Sequence, residues 1–232
     1  MEMYEIDVSA SATDSREFGI IKDAVLDRYR RLSRHAPRED AQYRRDAPPR
    51  EVAASAYTPI ITSHTQVVTS AFRSELFASG FALVRPTLEA LLKQSMVGAY
   101  EGDDDGWKRI VGSRLRITRK SLKELATSRG WPDLSTLWVG LSPWLNDFVH
   151  GGHGQLLSNS TQSREPTYPA DWFWTAMFVS TVAMLATSAW FWAHVGHDER
   201  WQPILDDMRS EDWGTLTIGR NGQIVRIIGP RR

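Results

Sequence analysis

From 172 to 195 the chain carries no Asp, Glu, Lys or Arg, and this run constrains the fold more than any other stretch. A long segment without charge has to be wrapped, either by lipid or by the rest of the protein. Trp172, Trp174, Trp190 and Trp192 stand at its two ends like the aromatic belts of a bilayer span. Thr175, Ser180, Thr181, Thr187 and Ser188 dilute it and His194 sits inside its end, whereas spans prefer denser Leu, Ile and Val over ~20 residues. A helix that is apolar all round is equally what the centre of a soluble bundle needs. The expectation is therefore a buried core helix rather than a membrane span.

Such a helix needs amphipathic neighbours, and the chain supplies them. Phe18, Ile21, Ala24, Val25, Tyr29 and Leu32 recur at three-to-four spacing and predict a helix over 15–34. Pro37, Pro48 and Pro49 among Arg38, Arg44, Arg45 and Arg50 read as a solvated connector. Ala53, Tyr57, Ile60, Ile61, His64, Val67, Val68, Phe72 and Leu76 form one stripe that calls for burial along a continuous helix over 51–77. Ser79-Gly80 is a turn signal, and a further helix runs to about 100, closing an antiparallel hairpin. Leu137, Trp138 and Leu141, then Ser142-Pro143 as a helix start, lead to Gly151-Gly152 as a stop just after His150. The tail differs: β-rich runs flank Asn221-Gly222, a strong hairpin signal that places Ile218 opposite Val225 and Leu216 opposite Ile227. The fold class expected is mainly α, a bundle of about six helices with a C-terminal β-hairpin. Residues 1–50 form an N-terminal helix and basic connector, 51–197 the core bundle, and 198–232 an extension with the hairpin at 214–228.

The chain has 232 residues, enough for a core without covalent staples. Having no Cys, it excludes disulfides, thiol catalysis and thiolate metal sites. Glu2, Glu5 and Asp7 occupy the place where an export signal would carry lysines, so a cytoplasmic location is expected. With 28 basic and 28 acidic side chains, the whole is neutral. Charge is nevertheless uneven: 106–130 holds eight Lys and Arg against the single acid Glu124, with Trp107 and Trp131 at its margins. That patch could meet the phosphates of RNA.

Four residues stand out as chemistry in apolar surroundings. Arg85 precedes Pro86 in the middle of a helix, where proline costs ~3 kcal/mol or more, and Glu89 lies one turn on, able to pair with it. The pair either fixes helix packing or orients an arginine for an anion. His150 ends its helix, where the dipole favours imidazolium and suits an acid or base near neutrality; the alternative is a capping histidine. Asn146 is one turn back, and His153 and Gln155 follow the glycines. His64 lies in an apolar stripe, either as a core histidine or as part of a site built from several helices. Catalytic candidates are therefore Arg85, Glu89 and His150, and binding candidates are His64, Asn146, His153 and Gln155. His150-x-x-His153 and His194-x-x-His197 are each interrupted by glycine, so neither a metal nor another cofactor is expected.

Ser-His-Thr-Gln at 63–66, Leu-Phe-Ala-Ser-Gly-Phe-Ala-Leu-Val-Arg-Pro-Thr-Leu-Glu-Ala at 76–90 and Phe-Val-His-Gly-Gly-His-Gly-Gln at 148–155 together resemble an uncharacterised family of bacterial all-helical proteins. That family carries an Arg-Pro-x-x-Glu-like helix and a His-Gly-Gly loop, and the likeness covers about 55–195. It is in turn distantly similar to HEPN-type bundles, which include abortive-infection and toxin-antitoxin ribonucleases that work as dimers. The resemblance implies a metal-independent ribonuclease, a homodimer and a cognate protein partner. One departure stands out: HEPN ribonucleases place an arginine four to six residues from the histidine on one helix, and 143–147 holds none. Arg85, from a neighbouring helix, would have to supply that charge. The rival expectation is a non-catalytic ligand- or protein-binding bundle in which the same residues are structural.

Overall fold

The computed structural model describes residues 3–6, 16–38, 41, 44–100, 106–112, 145–146, 168, 170–196, 199–209, 215–218 and 224–230. Among them the chain is mainly helical. The helices are α1 (Arg16–Leu32), α2 (Pro49–Ser55), α3 (Tyr57–Arg73), α4 (Phe77–Gly98), α5 (Gly106–Gly112), α6 (Ala170–His194) and α7 (Trp201–Arg209), with a 3-10 turn at Ser33–His35 after α1. Short strands β1 (Met3–Ile6), β2 (Thr215–Ile218) and β3 (Ile224–Pro230) pair antiparallel in the order β1-β3-β2. Leu216 lies opposite Ile227, but an irregularity after Thr217 brings Ile218 opposite Ile224 rather than Val225. Residues 219–223, where the Asn-Gly turn is expected, lie outside the described residues.

The uncharged helix α6 is the axis of the core. It packs on α1, α3, α4 and α7, and Phe173, Ala176, Met177, Ala183, Leu185 and Phe191 along it are almost wholly buried. Its 172–194 stretch is long and apolar enough to cross a membrane, and 83% of the most apolar window is enclosed by the protein's own side chains. At one end aromatic rings interlock: Phe173 lies 5.1 Å from both Phe18 and Phe72, and Phe81 lies 5.2 Å from Phe72. These are edge-on or tilted pairs, the arrangement ring quadrupoles favour. Phe18, Leu26 and Tyr29 of α1 belong to the same core as α3, α4 and α6, so the N-terminal helix is part of the bundle.

Three expectations about the hairpin are corrected. The continuous helix over 51–77 is two helices separated at Ala56, because Pro59 has no N–H to give the carbonyl of Ser55. The turn falls at Ser74–Leu76, not Ser79-Gly80, which lies inside α4. Glu75 takes φ 61 there, and its N–H reaches Phe72 O while that of Leu76 reaches Ala71 O, a Schellman closure of α3 with Glu where Gly is usual. Gly80 is needed inside α4 because a Cβ there would run into the Phe72 ring.

The third correction concerns the buried face of α3. Ile61, Val68 and Phe72 are buried as expected, yet Ile60 and Val67 are 44% and 48% exposed. In their place Thr58, Thr62, Thr65 and Thr69 face inward. Thr62, Thr65 and Thr69 each donate back to a carbonyl one turn earlier, at 2.8–2.9 Å, so the hydroxyls enter the core already satisfied.

Candidate functional site

The α3–α4 hairpin is set by a few contacts that also orient the candidate residues. Gln94 Nε2 donates to Thr58 Oγ1 at 3.0 Å, and Thr187 Oγ1 of α6 donates to the same oxygen at 3.1 Å. Gly80 meets Phe72 at the other end of the hairpin. Gly80, Thr87 and Gln94, spaced by seven, therefore form the line of α4 turned toward α3. At about 100° per residue, Arg85 and Glu89 lie roughly 160° around the helix from that line.

On that flank the two make the expected pair. Arg85 Nε donates to Glu89 Oε1 at 3.0 Å, with side chains 22% and 36% exposed. The i, i+4 spacing stacks them one turn apart, and α4 runs through Pro86 without ending. Thr87 Oγ1 donates to Leu83 O at 2.7 Å, which adds a side-chain bond in the turn where proline supplies no N–H. The guanidinium is thus held in one orientation at a partly exposed surface, with its Nη1 enclosed by the protein.

His64 does not join this pair. It sits half-buried on α3, across the hairpin from the line Gly80-Thr87-Gln94, so α4 itself stands between it and Arg85. Its Nδ1 is buried without a hydrogen bond among the described residues. Asn146 is exposed, next to a fully buried Leu145 that belongs to the core. His150, His153 and Gln155 lie outside the described residues, as does 113–130 of the basic stretch. His194 is committed elsewhere: its Nδ1 lies 2.9 Å from Trp190 O, and its ring stacks on that of Trp190 at 4.7 Å. No group of three or more potential metal-ligating side chains occurs among the described residues.

Two polar features escaped the reading of the sequence. One is the threonine line of α3, whose 4-3-4 spacing over 58, 62, 65 and 69 is as helical as any apolar stripe and could have been seen. Tyr29 OH of α1 donates to Thr65 Oγ1 at 2.7 Å, and burial raises the Tyr29 pKa while the neighbouring Thr65 and Thr69 side chains oppose that shift. The other is a clasp between chain ends: His35 Nε2 lies 2.7 Å from Asp207 Oδ2 of α7, and Trp192 Nε1 donates to His35 O at 3.1 Å. Nothing in the local sequence joins residues so far apart.

Compared with family models, with curated proteins and with solved structures, this chain matches none.

Proposed function

We propose that this chain is a HEPN-like helical protein that acts on RNA, as a defence or toxin-antitoxin component would, with Arg85 as its phosphate-contacting group. The observation that carries the reading is the Arg85–Glu89 bridge on the solvent-reaching flank of α4. A carboxylate on Nε fixes the plane of the guanidinium, and an arginine so held is suited to the charge that builds on a phosphate during cleavage. Glu89 is then a positioning residue. His150 is the proton-transfer group, accepting from the 2′-hydroxyl that attacks phosphorus to form the cyclic phosphate, as the 5′-oxygen leaves and takes a proton from water. His153 and Gln155 would bind beside it. The reading includes a homodimer, a cognate protein partner, a cytoplasmic location without membrane insertion, and a β-hairpin over 214–228 turning at Asn221-Gly222.

Incubating the purified protein with tRNA and total RNA tests this. Cleavage should occur without added metal and fall by about a hundredfold or more in Arg85→Ala and His150→Ala. Absence of cleavage, or cleavage unchanged in both variants, overturns the proposal.

A second reading rests on His64 and Arg85 lying on different sides of the α3–α4 interface. In it the bundle is a non-catalytic binding protein and the Arg85–Glu89 pair is structural. It expects Arg85→Ala to lower the melting temperature with no activity lost.

A further inference from the structure

The chain continues past α1 alongside α3 and carries arginine at every fourth position: Arg30 at the helix end, Arg34 in the 3-10 turn and Arg38 in the extended segment that follows. Between this strip and α3 lies a groove of about 820 Å³ lined by all three arginines, with Ser63 and Gln66 on the α3 side and Pro37 and Phe191 among its apolar lining. That volume is within the range of small-molecule sites. Among the described residues no Asp or Glu lines it.

The α1 dipole accounts for Arg30, which sits in the last helical turn. It does not account for Arg38, which lies beyond the 3-10 turn. Arg34 has a carboxylate at 3.7 Å, Asp207, whereas Arg30 and Arg38 make no ion pair among the described residues. Three guanidinium groups along one wall gather positive charge that an anion between them would balance. The walls are also preformed: Tyr29–Thr65 ties the end of α1 to α3, and Trp192 donating to His35 O ties the 3-10 turn to α6. A ligand would not have to order them.

We infer that this groove binds a phosphorylated ligand of nucleotide size. The arginine forks take the phosphate, Ser63 and Gln66 meet hydroxyl or amide groups, and Pro37 lies under a flat ring. The site goes beyond the RNA-cleaving reading, because it lies on the α1 side of α3, whereas Arg85 and Glu89 face away from α3.

Titration calorimetry of the full chain with AMP, inorganic phosphate and a short single-stranded RNA without terminal phosphates tests it. AMP should bind saturably, phosphate should compete, and the RNA should bind more weakly than AMP. Arg30→Ala with Arg38→Ala should weaken AMP roughly tenfold or more while the melting temperature holds, since both side chains are exposed. Gln66→Ala should weaken AMP but leave phosphate unchanged. Arg85→Ala should bind AMP as the wild type does, so loss of RNA cleavage and loss of nucleotide binding are read separately. The inference is overturned by either of two results: no saturable AMP binding, or AMP affinity unchanged in the double arginine variant.

Discussion

Glu75 is the residue where two local effects oppose each other most plainly. Its φ of 61 is a conformation that costs a side-chain-bearing residue roughly 1–2 kcal/mol relative to glycine. Its carboxylate meanwhile lies 2.8 Å from Lys22 Nζ, bridging α1 to the α3–α4 turn. The lysine is 11% exposed and the glutamate 67%, so solvent screens the pair and its coupling is about 0.5–1 kcal/mol. Glu75→Ala keeps the strain and loses the pair, so denaturant unfolding should show a loss of about 1 kcal/mol. Glu75→Gly loses the pair but relieves the strain, and should stay within about 0.5 kcal/mol of wild type. A stability drop in Glu75→Gly as large as in Glu75→Ala would show that the strain is not there.

Among the elements, α4 gives a prediction whose sign depends on packing rather than propensity. Gly80→Ala in an exposed helix would gain about 1 kcal/mol. Here the added methyl meets Phe72, which is fully buried and hemmed in by Phe77, Phe81 and Phe173. Overpacking of this kind costs about 1–3 kcal/mol, so thermal unfolding should report net destabilisation. The same position shows why the hairpin was only partly legible in the sequence. Both helices, their antiparallel pairing and the Arg85–Glu89 spacing follow from local periodicity. Gly80 read as a turn because nothing nearby reveals the ring it accommodates, whereas the real turn uses a glutamate stabilised by a lysine far back in the chain. Apolar stripes misplaced the buried face of α3 for a related reason: a threonine that bonds its own helix behaves as a core residue, and hydropathy counts it as polar.

At the scale of the molecule, burial of phenols links stability to pH. Tyr29, Tyr57 and Tyr168 all have pKa values raised above their ordinary 10.0, chiefly by desolvation. The folded state therefore holds these protons to higher pH than the unfolded state does. Their contribution is complete below pH 10.0 and is lost as pH rises through the raised folded values. Melting temperature should fall once pH passes about 10, and Tyr29→Phe should flatten that fall while costing about 1 kcal/mol at neutral pH through the lost bond to Thr65. A flat profile through that range would contradict the burial of these rings. The helical class was legible from the uncharged run alone, because such a helix demands partners on every side. The groove was not, because its two walls come from segments whose approach depends on Tyr29, Thr65 and Trp192 meeting in three dimensions.

The wrapping of α6 also has a consequence for synthesis. While it is being made, this helix is long and apolar enough for insertion machinery to engage, and its own sequence does little to prevent that. The safeguard is the order in which the chain emerges. α1, α3 and α4 leave the ribosome before it does and, once paired, offer α6 an apolar cleft to enter. A lesion that delays that pairing should therefore send nascent chains to membranes or aggregates, even where the finished protein would have been stable.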